Sequence, residues 1–170
     1  MKSYRLPQLH RTCGAIFRRR VKIYKQGKAY YDALKSVHDL VKGARKVQQT
    51  ILLVGDISDI YVTNFNTMTG DPNFTVEELS AIAFGYNRLL KESSDLLLDL
   101  KEVTTATGLS MTDKERLDII NRIYGEVLEY KNLTWYYTRK NIGVSYLRSK
   151  EKGDAARVLS LYGTHEQRYW

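Results

Sequence analysis

Residues Ile23–Phe65 read IYKQGKAYYDALKSVHDLVKGARKVQQTILLVGDISDIYVTNF. Within them Ile23, Gln26, Tyr30, Ala33, Val37, Leu40, Ala44, Val47, Ile51, Val54, Ser58, Tyr61 and Phe65 follow at steps that alternate three and four. That spacing holds all of these side chains on one side of an α-helix. Unbroken, the helix spans about 43 residues and about 65 Å at 1.5 Å per residue. Gly27, Gly43 and Gly55 lie inside it, and each costs about 1 kcal/mol relative to alanine. One long helix, bent near one of its glycines, is the expectation.

Downstream the same period recurs twice, each time announced by a cap. The turn MTGDPNF (Met68–Phe74) stops the first helix through Gly70, Pro72 and Asn73. Thr75 and Glu78 then have the spacing of a capping box, in which hydroxyl and carboxylate each satisfy the other's backbone N–H. Leu79, Ala83, Tyr86, Leu90, Ser93, Leu97 and Leu100 continue as a stripe flanked by Ile82, Leu89, Leu96 and Val103. This second helix is expected at the centre of the core and ends at TTATG (Thr104–Gly108). Thr112 and Glu115 form a second capping box, with Asp113 placed to complement the helix dipole. The third helix is expected to face inward through Leu117, Ile120, Ile123 or Tyr124, Val127, Leu128 or Tyr130, Thr134, Tyr137, Asn141 and Val144, and on towards Leu147. Gly153 and Asp154 read as a break and a new cap. A short helix with Val158, Leu159 and Tyr162 follows and stops at Gly163. No period-two run with hairpin turns competes with this pattern. The predicted fold is all-α: an elongated antiparallel three-helix bundle with a short C-terminal helical appendage. Residues 21–163 are its bundle domain, 164–170 a tail, and 1–20 a basic segment that is either loosely ordered or an extension of the first helix.

Charge is distributed unevenly. Up to Lys28 there are nine basic residues and no acidic one, while the remainder holds 18 basic and 19 acidic residues. The bundle is therefore close to neutral, and the basic character of the chain belongs to one end. That end admits a reading as a cytosolic nucleic-acid-binding arm, since phosphate binding needs clustered cations. Against it, Ile23 and Tyr30 already belong to the core stripe, which makes the cations from about Val21 onward a solvated helix face. Direct nucleic-acid binding is accordingly not expected. The segment CGAIF (Cys13–Phe17) is shorter than the roughly 7–15 apolar residues of a signal h-region, and no run approaches the roughly 18 of a membrane span. As written, the chain is expected to carry no secretion signal.

Catalytic chemistry finds little material. His10, His38 and His165 fall in three separate elements, and Cys13 stands alone, so neither a metal site nor a thiol nucleophile is expected. Acid pairs such as Glu77 with Glu78 and Asp95 with Asp99 sit on polar helix faces. The glycines form no phosphate-binding loop. No cofactor, metal or small-molecule substrate is implied. Aromatic residues carry more information. The run TWYYTRK (Thr134–Lys140) sets Trp135, Tyr136 and Tyr137 over about 200° of helix. The broad face of a small bundle is expected to bury all three, with tyrosine hydroxyls at the rim. The functional alternative is a protein-binding patch, because Trp, Tyr and Arg are enriched where interfaces concentrate their energy. Trp135, Tyr136, Arg139 and Tyr146 are the candidate contact residues, and Lys140, Arg148, Lys150 and Lys152 extend the patch into a basic end. Self-association through leftover apolar stripe is a further possibility.

The stretch VKIYKQGKAYYDALKSVHDLVKGARKVQQTILLVGDISDIYVTNF, then NFTVEELSAIAFGYNRLL, LSMTDKER, NIGVSYLRSKEKGDAARVLSLYG and the closing EQRYW resemble the conjugal transfer proteins encoded by conjugative transposons of Bacteroidetes. The resemblance covers about residues 21–170. That family is similar in role and helical character to minor-pilus or pilus-tip subunits of type IV secretion systems. The resemblance implies a non-enzymatic structural component in the periplasm or cell envelope, whose partners are other subunits of the conjugative transfer apparatus. Such proteins open with a cleavable signal, and Met1–Arg20 departs from that pattern. The basic head is therefore expected to be an atypical or misassigned start, or a remnant of different upstream sequence, rather than a functional arm.

Overall fold

The computed structural model describes residues 41–105 and 111–163. They form α1 (Val41–Thr69), α2 (Val76–Thr105), α3 (Asp113–Glu151) and α4 (Ala155–Tyr162), and no strand occurs among them. The protein is all-helical over this range. The basic head, the stripe from Ile23 to Leu40, Cys13, the three histidines, the Gly108 cap and the tail 164–170 lie outside the described residues.

The alternating stripe behaves in α1 as the period requires. Val47, Ile51, Val54, Ser58, Tyr61 and Phe65 are all buried, and Ile57 and Met68 widen the face. In α2 the buried positions are Leu79, Ile82, Tyr86, Leu90, Ser93 and Leu100. Both capping boxes form. The Thr75 N–H donates to Glu78 Oε2 at 2.9 Å while the Glu78 N–H donates to Thr75 Oγ1 at 3.2 Å, and Thr112 and Glu115 repeat the exchange at the head of α3. Gly153, at φ +70°, turns the chain from α3 into α4 with a conformation that a Cβ disfavours. Gly163, at φ +90°, closes α4 by donating its N–H to the Leu159 carbonyl.

Each of the three long helices packs against the other two, and α4 packs on α3. Partners on α1 and α3 climb together: Lys46 meets Tyr124, Asp56 meets Lys131, and Asp71, just past the end of α1, meets Ser145. Between α2 and α3 the order is reversed, with Glu78 beside Arg148 and Tyr86 beside Thr138. The middle of the core is aromatic. Tyr61 and Tyr86 stack with centroids 4.6 Å apart, Phe65 meets Tyr61 edge-on at 5.6 Å, and Tyr137 meets Tyr86 edge-on at 5.1 Å. Such offset and edge geometries suit the ring quadrupoles.

The expected inward face of α3 is corrected in its second half. Ile120, Ile123, Val127 and Thr134 are buried as the stripe requires, but the line then runs through Thr138, Ile142, Ser145 and Ser149. Val144 and Leu147 are 41 and 62% exposed instead of facing inward, and Tyr137 and Asn141 are half-buried beside the line. The cause is volume. Rings from α1 and α2 fill the space at this level, so α3 approaches through threonine and serine. Its hydroxyls return hydrogen bonds to the helix, as from Thr134 to the Tyr130 carbonyl at 2.7 Å, or meet the rings, as Thr138 meets the Tyr86 hydroxyl at 2.6 Å.

Candidate functional site

The four residues that the sequence singles out for contact all lie in α3, and the structure separates them. Trp135 and Tyr146 are half-buried, and Tyr146 packs against the core. Arg139 is exposed. At 100° per residue these three fall within about 40° of one another on one flank of the helix. Tyr136 stands about 60° further round from Arg139, is 54% exposed, and holds the Lys140 Nζ 5.3 Å from its ring centroid. The expectation that the bundle buries Trp135, Tyr136 and Tyr137 together is thus corrected for Tyr136. Three consecutive positions sweep more of the helix circumference than the two neighbouring helices cover. Tyr137 goes to the α2 side, where its hydroxyl donates to the Ile82 carbonyl at 3.4 Å.

Below these residues, at the end of α3 that meets the α1–α2 turn, polar groups from four segments converge. Asp71 is 2% exposed. Its carboxylate accepts from the Ser145 hydroxyl, from the Asn73 N–H at 3.0 Å, from the Tyr162 hydroxyl at 3.0 Å, and more distantly from Arg157 at 3.4 Å. Burial pushes its pKa upward, but the donations from Ser145, Asn73, Tyr162 and Arg157 outweigh burial and leave it below the usual carboxylate range. Burial and the neighbouring Asp71 charge push the Tyr162 hydroxyl upward, so it remains a donor. The Asn73 side chain donates to the Ser145 carbonyl and hydroxyl at 3.1 and 3.0 Å. Arg148 grips Glu78 in bidentate fashion at 2.9 and 2.6 Å and donates to the Asn73 carbonyl at 2.7 Å. Glu78 is thereby held down to about 2, by Arg148 first and by the Thr75 N–H second. The basic end expected from Arg148, Lys150 and Lys152 is partly neutralised in this way, since Arg148 is paired with Glu78, while Lys152 keeps its charge and donates to the neutral Asn73 side chain at 3.2 Å.

Chemically the junction is a clamp: an ionised, dehydrated carboxylate held by donors from the turn, α3 and α4. Sequence reasoning reads Asp71 only as part of a turn. The available signal is the Asx-turn spacing of Asp71 and Asn73, which announces the local bond between them but not its burial. Among the described residues no group of three or more His, Cys, Asp or Glu side chains is placed to hold a metal ion, and no helix is long and apolar enough to cross a membrane. Comparison of the chain with protein-family models, curated proteins and solved structures returns no match.

Proposed function

We propose that this protein is a non-enzymatic structural component of a conjugative DNA-transfer (type IV secretion) apparatus. It acts by protein–protein contacts in the cell envelope, and its scaffold is an elongated antiparallel three-helix bundle with α4 as an appendage. Two supports stand behind the scaffold: the parallel contact order of α1 with α3, and the reversed order of α2 with α3. The resemblance of residues 21–170 to conjugal transfer proteins supplies the setting.

One observation carries the mode of action. The titratable groups that converge at the α1–α2 turn are engaged with one another, whereas α3 turns Tyr136, Arg139 and several large apolar side chains outward. Aromatic and arginine side chains are common anchors of protein interfaces. In this reading Tyr136 and Arg139 touch the partner, and Trp135 and Tyr146 support them from the flank.

The test is co-purification of the tagged chain from cells carrying the whole transfer operon, with fractionation of the envelope. Recovery of envelope subunits supports the proposal. Recovery of DNA whose retention falls steeply with added salt replaces it with the nucleic-acid reading of the basic head.

A further inference from the structure

Between Leu133 and Ser149, α3 buries Ile142 and four hydroxyl-bearing side chains and turns four large apolar ones outward. Its inward positions include Thr134, Thr138, Ser145 and Ser149, while Leu133, Tyr136, Val144 and Leu147 point outward and are 47, 54, 41 and 62% exposed. Eight large hydrophobic side chains are exposed among the described residues; four are these, and the other four are scattered over α1, α2 and α4. Single exposed apolar side chains are ordinary on any surface, but a contiguous line of them marks an interaction site. Steps of three, eight and three keep the four within about 80° of arc, in a line about 21 Å long. Lys140 stands at its midpoint. Its ammonium lies over the Tyr136 ring at 5.3 Å, so its methylene stem continues the apolar strip instead of interrupting it.

The strip has a charged border. Several exposed cations on these helices are matched by an acid one turn on, as in Arg88 with Glu92, Lys91 with Asp95 and Arg122 with Glu126. Arg139, Lys140 and Lys150 make no ion pair with a described residue. Arg139 and Lys150 lie along one flank of the strip and Lys140 within it, and positions 133–150 hold no acid, so the strip is complementary to a helix that is apolar on one face and acidic beside it. A second copy of the same face fits worse. Antiparallel pairing that sets Leu133 against Leu147 and Tyr136 against Val144 also sets Lys140 against Lys140, and parallel pairing in register likewise opposes Lys140 to itself.

We propose that the outer face of α3 from Leu133 to Lys150 docks an acidic amphipathic helix of a partner protein. The inference rests on the docking role argued above and adds the chemistry of the partner. The test titrates the full chain at low salt with a labelled helical peptide carrying leucine on one face and glutamate on both edges. A matched peptide with lysine in place of glutamate is the control. The glutamate peptide is expected to bind at least about tenfold more tightly, an advantage that three rim cations readily supply, and added salt is expected to shrink the difference. A Leu133→Glu/Leu147→Glu variant, with its circular dichroism unchanged, is expected to lose binding. Arg139→Glu/Lys150→Glu is expected to shift the preference towards the lysine peptide. Equal binding of both peptides, or undiminished binding by the leucine variant, overturns the proposal. So does a sedimentation dimer abolished by that variant, which assigns the face to self-association. The two readings fail separately. Envelope subunits recovered equally with wild type and the leucine variant sink this face alone, whereas subunits recovered with neither sink the structural role and leave the peptide titration to decide the face.

Discussion

Replacing Asp71 by alanine removes the acceptor of three close donors, Ser145, the Asn73 N–H and Tyr162, at a site that is 2% exposed. A buried donor left without a partner costs about 1–3 kcal/mol. Arg157 adds little, because it sits 3.4 Å away and retains Asp154. Three neutral donors left unpaired in the lower part of that range lose about 3–4 kcal/mol together, so about 4 kcal/mol is expected. For a domain whose total stability is about 5–15 kcal/mol, that leaves the variant close to unfolding. Asp71→Asn is the more informative partner experiment. It preserves volume and one acceptor oxygen and is expected to lose about 2 kcal/mol, a shift of about 1 M in the urea midpoint for a slope of about 2 kcal/mol per M. Urea titrations followed by far-ultraviolet circular dichroism at neutral pH measure both. The folded protein holds the Asp71 pKa below its unfolded value of about 4. Its ionic contribution is therefore complete above that value and is lost as the pH falls through the folded value. The gap between wild type and Asp71→Asn should accordingly narrow on acidification below about pH 4. A loss below about 1 kcal/mol for Asp71→Ala, or a gap that stays constant down to pH 2, would refute the clamp.

Tyr162→Phe removes one bond to the same carboxylate and is expected to cost about 1 kcal/mol; in a double-mutant cycle with Asp71→Asn the two losses should depart from additivity by at least about 0.5 kcal/mol. For Gly85→Ala, the new Cβ would stand 2.6 Å from Tyr137 Cζ. The overpacking cost of about 1–3 kcal/mol is expected to exceed the gain of about 1 kcal/mol in helix propensity, and thermal melts should show the loss relieved in a Tyr137→Leu background. Thr138→Val leaves the buried Tyr86 hydroxyl without its 2.6 Å partner and is expected to cost about 1–3 kcal/mol, more than Tyr86→Phe, which removes the hydroxyl itself. Glu78 is held down to about 2, so its contribution is present above its ordinary value of 4.5 and fades as the pH drops from there towards 2. A carboxyl NMR titration should place its midpoint near 2 in wild type and higher in Arg148→Met, though still below 4.5 because the Thr75 N–H continues to donate to it; equal midpoints would dissociate Glu78 from Arg148.

Features governed by rules a few residues long were legible in the sequence. The 3,4 period from Val47 to Phe65, the two capping boxes and the glycine stops at Gly153 and Gly163 are decided within one or two turns of chain. Neighbours in sequence supply the partners of those groups, so no knowledge of packing is required. The orientation of α3 beyond Val127 was decided only in three dimensions. Val144 and Thr138 compete for the interior, and local hydrophobicity favours valine. The outcome depends on the room left by Tyr61, Phe65 and Tyr86, rings contributed from more than fifty residues away. The same holds for Asp71 and Glu78, whose partners Ser145 and Arg148 lie 74 and 70 positions along the chain. Periodicity records that a helix has two faces; which face is buried follows from the volumes and donors that other helices bring to it.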